Sequence, residues 1–399
     1  MKDVLFLAHR IPFPPDRGDK IRSWHLLRHL ATLGRVHLAC FADDEVDAAH
    51  LAGLRKALGD RLGDCHVEVR TRGKAAAGAR ALIAGKPVSL TLFDSASLRA
   101  FVARKAAEVD TIFVFSGQMA QFVRADAGAR FIMDFGDVDS AKFTQYAREG
   151  SGPMRWVNGR EGAKLAAFER ATAERADLCL FVSEAEASLF RERTGLANIR
   201  ALSNGIDVDH FDPAADFSRV DIEKRPLLLF TGQMDYAPNA DAVAWFAREV
   251  LPLVPAASFV IAGRNPLPSV QALAGERVTV TGAVADMRSW LAAADVVVAP
   301  LRLARGIQNK VLEAMAMAKP VVASAPAFEG IEAVPGRDLL VAEDAAATAE
   351  AIRGLLGAPD RASAMGAAAR RQMEQAYRWE ARLAPLAEIV SPSANREAA

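Results

Sequence analysis

The amino-acid sequence predicts an α/β protein built from two doubly wound, Rossmann-like parallel-sheet domains. Three observations carry this expectation. Short, nearly continuous apolar runs alternate with helical stretches, as strands buried on both faces do. Near residue 205 the alternation stops in a connector rich in Gly, Asn, Asp and Pro, "LSNGIDVDHFDP", and then restarts. A chain of 399 residues also exceeds one ordinary hydrophobic core.

Taken in order, the first strand is "DVLFLAH", followed by a proline-stiffened loop and a helix over 19–33. "RVHLACF" precedes a helix over 46–58, and "CHVEV" precedes a helical region reaching about residue 107. "TIFVFS" and "RFIMDF" are further strands; a charged amphipathic stretch follows at 156–176, then "LCLFVS" and a helix over 184–193. Beyond the connector come "PLLLFTG", a helix over 239–250, "ASFVIAG", "VTVTG", "DVVVAP", an apolar helix, "PVVAS" and a pair of helices after 343. The expected domains are 1–205 and 206–378, with ligands at the carboxyl ends of the strands in a cleft between them.

Composition narrows the function. Apolar residues make up 51% and charged residues 25%, which fits a globular α/β protein. The three cysteines, Cys40, Cys65 and Cys179, follow no disulfide or zinc spacing, which predicts a reducing, cytoplasmic setting. No apolar run reaches the ~18 residues of a membrane span. With 49 basic and 49 acidic residues the net charge is zero, which argues against a nucleic-acid partner. Residues 70–93, however, carry Arg70, Arg72, Lys74, Arg80 and Lys86 without one acid. That segment fits either a solvated basic loop or an anionic membrane face.

The chemistry concentrates in "RLARGIQNKVLEAMAMAKPVVAS". A buried strand, "DVVVAP", runs into a polar loop that opens a helix, and the first helical turn offers backbone N–H groups and the positive end of the dipole. Gly306 permits close approach, and Lys310 adds a point charge suited to a diphosphate. Glu313, three residues on, lies on the same helix side and can accept two hydroxyl groups, such as those of a ribose; alternatively it forms an intrahelical pair with Lys310.

These residues resemble a family. "GIQNKVLEAMAMAKPVVAS", "LSNGIDVDHFDP", "TGAVADMRSWLAAADVVVAP" and "YRWE" are similar to the GT-B glycosyltransferases of family 4. "HRIPFPPDRGDKIRSWHLLRHLA" and "MDFGDVDSAKFTQYA" resemble the group associated with bacterial exosortase and exopolysaccharide systems. The resemblance implies a GT-B fold and transfer of a sugar, with retention, from a nucleoside-diphosphate sugar to a glycan or polyprenyl-linked glycan, without a metal or other cofactor. It implies that Glu313 holds the donor ribose, that Gly306, Asn309 and Lys310 hold the diphosphate, and that the backbone at Val284 borders the base. It also implies that a helix at about 379–391 crosses back to the first domain. Two departures stand out. Arg305 occupies the position of the first glutamate in the family's Glu-x7-Glu pair, and "FTGQMDYAPN" lacks the basic residues many members place after that strand. Lys310, Arg305 and Arg264 are then left to supply the positive charge.

In the first domain, the loop with Gly18, Asp19 and Lys20 is the expected acceptor or phosphate loop, although Asp19 also suits a helix cap. Asp137 and Asp139 follow a strand and are candidates for polarising an acceptor hydroxyl, with capping as the alternative for Asp139. Ser116, Gln118, Ser183 and Glu184 also lie at strand ends. His25 and His29, four apart on one helix, lack carboxylate partners in the pattern and suit packing better than a metal. A dinucleotide oxidoreductase is disfavoured by the missing G-x-G-x-x-G; a nucleotide-sugar epimerase or a catalytically silent binding protein shares the expected fold.

Overall fold

The computed structural model describes residues 3–71, 73–222, 224–304 and 306–391. Among them, thirteen strands form two sheets in which every ladder is parallel. The first comprises β1 (Val4–Ala8), β2 (Val36–Ala42), β3 (Leu62–Val69), β4 (Thr111–Phe115), β5 (Arg130–Gly136), β6 (Leu178–Phe181) and β7 (Ile199–Ala201), in the order β3-β2-β1-β4-β5-β6-β7. The second comprises β8 (Leu227–Thr231), β9 (Ser258–Ala262), β10 (Val278–Gly282), β11 (Val296–Ala299), β12 (Val321–Ala323) and β13 (Leu340–Val341), in the order β10-β9-β8-β11-β12-β13. Each sheet therefore reverses its winding once, at β1/β4 and at β8/β11, where a doubly wound sheet opens its ligand crevice.

Apolar content explains the layering. β1, β2, β4, β8 and β11 are buried along their whole length, so helices must cover both faces of each sheet. The compact units divide at Ser203/Asn204, and residues 383–391 belong with the first. There Thr111 Oγ1 donates to the Val390 carbonyl at 3.4 Å and Arg130 Nη1 to the Ser391 carbonyl at 2.5 Å. The beginning and end of the second unit run side by side: Ile206 N donates to the Tyr377 carbonyl at 2.7 Å, and a Cβ on Gly205 would lie 2.7 Å from Trp379 Cα. This close approach accounts for glycine in "SNGID" and for the nearby "YRWE".

Several helices are more broken than their periodicity predicts. The helix expected over 46–58 is two, Glu45–Ala49 and Leu51–Leu58. The helical region before 107 is three: Lys74–Ile83, Val88–Leu92 and Ala96–Ala106. Gly85, in left-handed conformation, and Pro87 separate the first two; Ser95, whose Oγ accepts from Leu98 N, opens the third. The helix expected over 239–250 runs Ala237–Trp245 and widens into a π-turn at Phe246–Val250. Asp139 does not cap: it is the first residue of the helix Asp139–Glu149, behind Val138.

Candidate donor site and acceptor-side residues

In the second unit, the polar groups gather at the β8/β11 switch point. The loop after β11 leads to the helix Asn309–Ala316, whose N-cap residue Gln308 makes no side-chain capping bond. Gln308 Nε2 donates instead to the Gly306 carbonyl at 3.2 Å, and Gly306 has φ 64°, which only glycine adopts at no cost. Asn309 Oδ1 accepts from Asn204 Nδ2 at 3.4 Å, tying the helix start to the first residue of the unit.

Lys310 is the residue the geometry singles out. Its side chain leaves its own helix and crosses to β8, where Nζ donates to Asn239 Oδ1 at 2.5 Å and lies 4.4 Å from the centre of the Phe230 ring. Asn239 is held in turn, because its Nδ2 donates to the Gln233 carbonyl at 2.9 Å. Neither partner carries a negative charge. Desolvation by the surrounding protein lowers the Lys310 pKa to about 7, and Glu313 offsets part of that shift. The Glu313 carboxyl, half-buried one turn along, is pushed up to about 7 by burial, with Lys310 opposing. Lys310 therefore spends its hydrogen bond on Asn239 rather than on the carboxylate three residues away.

Glycine shapes the same edge. β8 and β9 run into Gly232 and Gly263, and β10 ends on Gly282; these have φ 155°, 151° and 68°. A Cβ on Gly263 would fall 1.6 Å from the Gly232 carbonyl oxygen, and one on Gly232 would fall 2.8 Å from Asn239 Nδ2 and 3.3 Å from Lys310 Nζ. The lysine therefore reaches bare backbone at the strand end. Arg264 follows Gly263, and its carbonyl accepts from Met234 N at 2.9 Å, which joins the loops after β8 and β9. Val284 is half-buried in the turn after β10. Arg305 lies outside the described residues.

In the first unit, Gly18 begins the helix Gly18–Leu33 and is exposed. Asp19 makes no cap; it accepts from Arg10 Nη1 and Arg17 Nε, each at 2.8 Å, and lies 3.1 Å from His9 Nε2. Against the desolvation that raises it, the hydrogen bond with His9, then that from Arg17 and the charge of Arg10, hold its carboxyl well below the usual range. Asp43, after β2, collects Arg10, Arg17 and Arg70. Lys20 is buried and paired with Asp47 at 2.5 Å. Arg22 is buried against Asp134 of β5, with Nη2 2.7 Å from Oδ2 and Nε 3.2 Å from it. Lys20 and Arg22 are thus committed to the interior.

Asp137 and Asp139 flank Val138 beyond β5. Asp137 Oδ1 is buried without a hydrogen-bond partner, and its pKa rises to about 7 because of burial first, then the like charges of Glu186 and Asp139. Glu186 anchors this turn by accepting from Val138 N at 2.6 Å, and Glu169 does so by accepting from Ser140 N at 2.9 Å. Ser116, after β4, holds φ 79°, an uncommon value for a residue with a side chain, and its N–H donates to the Asp134 carbonyl at 2.8 Å. Ser183 caps the helix Glu184–Thr194. Among the described residues no group of three His, Cys, Asp or Glu side chains converges as metal ligands.

Sequence reasoning missed Asn239, Phe230 and His9. The recurrence of a glycine directly after three apolar runs, "FTG", "IAG" and "VTG", was the available signal for the bare edge. Nothing in the sequence pairs position 239 with position 310.

The fold and this arrangement define the class: the chain has the GT-B fold of glycosyltransferases. Over 98% of each chain it matches sucrose-phosphate synthase from Thermosynechococcus elongatus, with TM-score 0.72 and 18% identity. HepE from Anabaena, in complex with UDP and glucose, matches over 98% of this chain and 99% of its own, with TM-score 0.68 and 17% identity. In sequence, residues 225–358 match the family "Glycosyl transferases group 1". A GDP-mannose-dependent alpha-(1-6)-phosphatidylinositol monomannoside mannosyltransferase from Mycobacterium tuberculosis is 30% identical over 236 residues, which are 54% of this chain and 61% of that protein.

Proposed function

We propose that this protein is a glycosyltransferase that moves a sugar from a nucleoside-diphosphate sugar to a glycan or polyprenyl-linked glycan, with retention, in exopolysaccharide assembly. One observation carries the reading: Lys310 reaches the β8/β11 switch point and meets an amide and an aromatic ring, not a carboxylate. A cation so placed keeps its field for an anionic ligand. The bond from the anomeric carbon to the diphosphate breaks, the acceptor oxygen takes its place, and the charge left on the diphosphate is stabilised by Lys310 and the first turn of its helix. This assigns to protein groups the role a metal plays elsewhere. Glu313 and Asn309 orient the donor, with Gly306, Arg264 and the Val284 backbone around it. On the acceptor side Asp137, with Asp139 beside it, takes up the hydroxyl proton; its raised pKa suits a base working near neutrality. The loop with Gly18, Asp19 and Lys20 shapes that side. We place the protein in the cytoplasm, peripherally on the inner membrane face, and assign it no nucleic-acid partner.

The mannosyltransferase named for GDP-mannose and the HepE complex with UDP suggest the bases to try first, guanine and uracil. Thermal unfolding against UDP, GDP and ADP tests the site: at ~100 times its dissociation constant, a ligand stabilises by ~2.7 kcal/mol. One of the three should stabilise the wild type, and Lys310→Ala should remove most of that shift. Transfer to an acceptor extract should fall about a hundredfold or more in the same variant, as for loss of one oxyanion donor. Stabilisation by none of them would overturn the reading.

A further inference from the structure

The first unit carries an apolar and basic face that the donor site does not explain. Of the ten exposed large hydrophobic residues described, five fall in two short segments: Leu82 and Ile83, and Met154, Trp156 and Val157. Ile83 is 90% exposed and Trp156 62%. The segments are neighbours. Arg160 Nη2 donates to the carbonyls of Ala81 at 2.9 Å and Lys86 at 3.2 Å, and the Glu161 carboxylate accepts from Val88 N at 2.8 Å and Ser89 N at 3.1 Å. The helix Gly152–Arg175 thus grips the turn after the helix Lys74–Ile83. Trp156 and Val157 lie one helical turn, about 5.4 Å, before the two gripping residues and on their sides of the helix.

Charge decides what fits this face. Across 70–93 and 150–168 the sequence holds eight basic residues and one acid, Glu161. That acid is buried and committed to backbone N–H groups. Lys86, Arg155 and Lys164 are exposed; Arg80 is exposed too, with Asp94 at 3.5 Å. Exposed isoleucine, tryptophan and methionine on segments that also carry exposed cations match a bilayer surface: the apolar groups enter the headgroup boundary and the cations meet anionic lipid.

We infer that the turn at 80–86 and the N-terminal part of the helix Gly152–Arg175 form one two-part docking face for an anionic lipid bilayer. This deepens the proposed reading, in which the acceptor is lipid-linked, but its evidence is independent of the donor site.

The experiment is co-sedimentation of the full chain with vesicles of phosphatidylcholine alone and of phosphatidylcholine with a third phosphatidylglycerol. Binding is expected only to the second and should weaken as salt is raised. Each cation neutralised among Lys86, Arg155 and Lys164 should weaken it roughly fivefold. The Ile83→Ser and Trp156→Ser pair should weaken it about tenfold or more. Trp156 is the one exposed tryptophan of the five, so anionic vesicles should shift the emission to the blue, and Trp156→Phe should abolish that shift while retaining binding. Equal binding to both vesicle types, no binding, or variants that bind like the wild type would each overturn the inference. So would a concentration-dependent dimer that Ile83→Ser dissociates, since the face would then belong to a second copy. Nucleotide stabilisation measured on the same preparations keeps the two readings apart. Vesicle binding without it leaves the docking face and removes the transferase; the converse removes only the docking face.

Discussion

At the carboxyl edge of the first sheet, Arg10, Arg17 and Arg70 converge on Asp19 and Asp43, and Lys20 and Arg22 reach Asp47 and Asp134. At the same edge of the second sheet, Lys310 meets the Asn239 amide and the Phe230 ring. The strand order is the same through six strands. In the first unit carboxylates neutralise the cations, so their worth is structural: they fix loops and join helix to sheet. In the second, Lys310 makes no ion pair: its hydrogen bond goes to the Asn239 amide, Glu313 on the same helix acts on it only through space, and burial lowers its pKa to about 7. The same topology therefore yields a braced edge and a receptive one, and the difference lies in what stands opposite each cation.

The largest effect should come from breaking the braced side. Arg22→Ala leaves Asp134 fully buried without its guanidinium, although burial already pushes that carboxyl up. Removing one partner of a buried pair costs about 3–5 kcal/mol. Urea denaturation should show that loss, while nucleoside-diphosphate affinity of the folded fraction stays as in the wild type. A loss of affinity without loss of stability would show that Arg22 serves a ligand and would erase the contrast between the two edges.

How much of this was readable beforehand follows from how local each signal is. Near-continuous apolar strands announce themselves, so β1, β2, β4, β8 and β11 were legible, as was the restart after residue 205. β7 and β13, of three and two residues, were not, since neither is an apolar run buried along its length, whereas the equally short β12 is. Glu313 and Lys310 could be placed on one helix side from their spacing. Asp19 could not be placed in an ion cluster, because its partners Arg10 and Arg17 precede the helix and a cap was the simpler local use. Asn239 lies 71 residues from Lys310, and only the β8/β11 adjacency brings them together. Pairings set by sheet order are the information that a one-dimensional reading lacks.

A second test sharpens the picture of the braced unit, because not every buried carboxylate there is compensated. Glu169 is buried; Oε1 serves Ser140 N, but Oε2 has no hydrogen-bond partner, and burial raises its pKa to about 7. The folded state then holds a proton that the unfolded state releases above about pH 4.5. Stability should fall as pH rises from about 4.5 to 7 and level off above, since the slope follows the protons bound unfolded minus folded. Glu169→Gln keeps the acceptor for Ser140 and removes the ionisation. It should raise stability at pH 8 by about 2 kcal/mol and make the fall shallower, leaving the part that Asp137 and Glu313 contribute. Denaturation across that pH range checks it; an unchanged slope would mean that Glu169 stays ionised.

The smallest expected effect makes the two edges alike. Asn239→Asp puts a carboxylate opposite Lys310, as Asp19 stands opposite Arg17, and gives up the Nδ2 donor to the Gln233 carbonyl, while Phe230 keeps its place beneath the ammonium. The variant should fold, with Lys310 held charged above its present value of about 7, and should bind the nucleoside diphosphate about tenfold more weakly, some 1.4 kcal/mol. Its pH dependence should change as well. In the wild type, affinity should fall as pH rises through 7, because Lys310 loses the proton the diphosphate needs. In Asn239→Asp the ammonium keeps its proton but answers to the carboxylate, so affinity should be low and nearly flat from pH 6 to 8. Titration calorimetry at three pH values separates the cases. Wild-type affinity in the variant would mean that the diphosphate is held by other groups at this edge, and that the freedom of Lys310 from a carboxylate is incidental to binding.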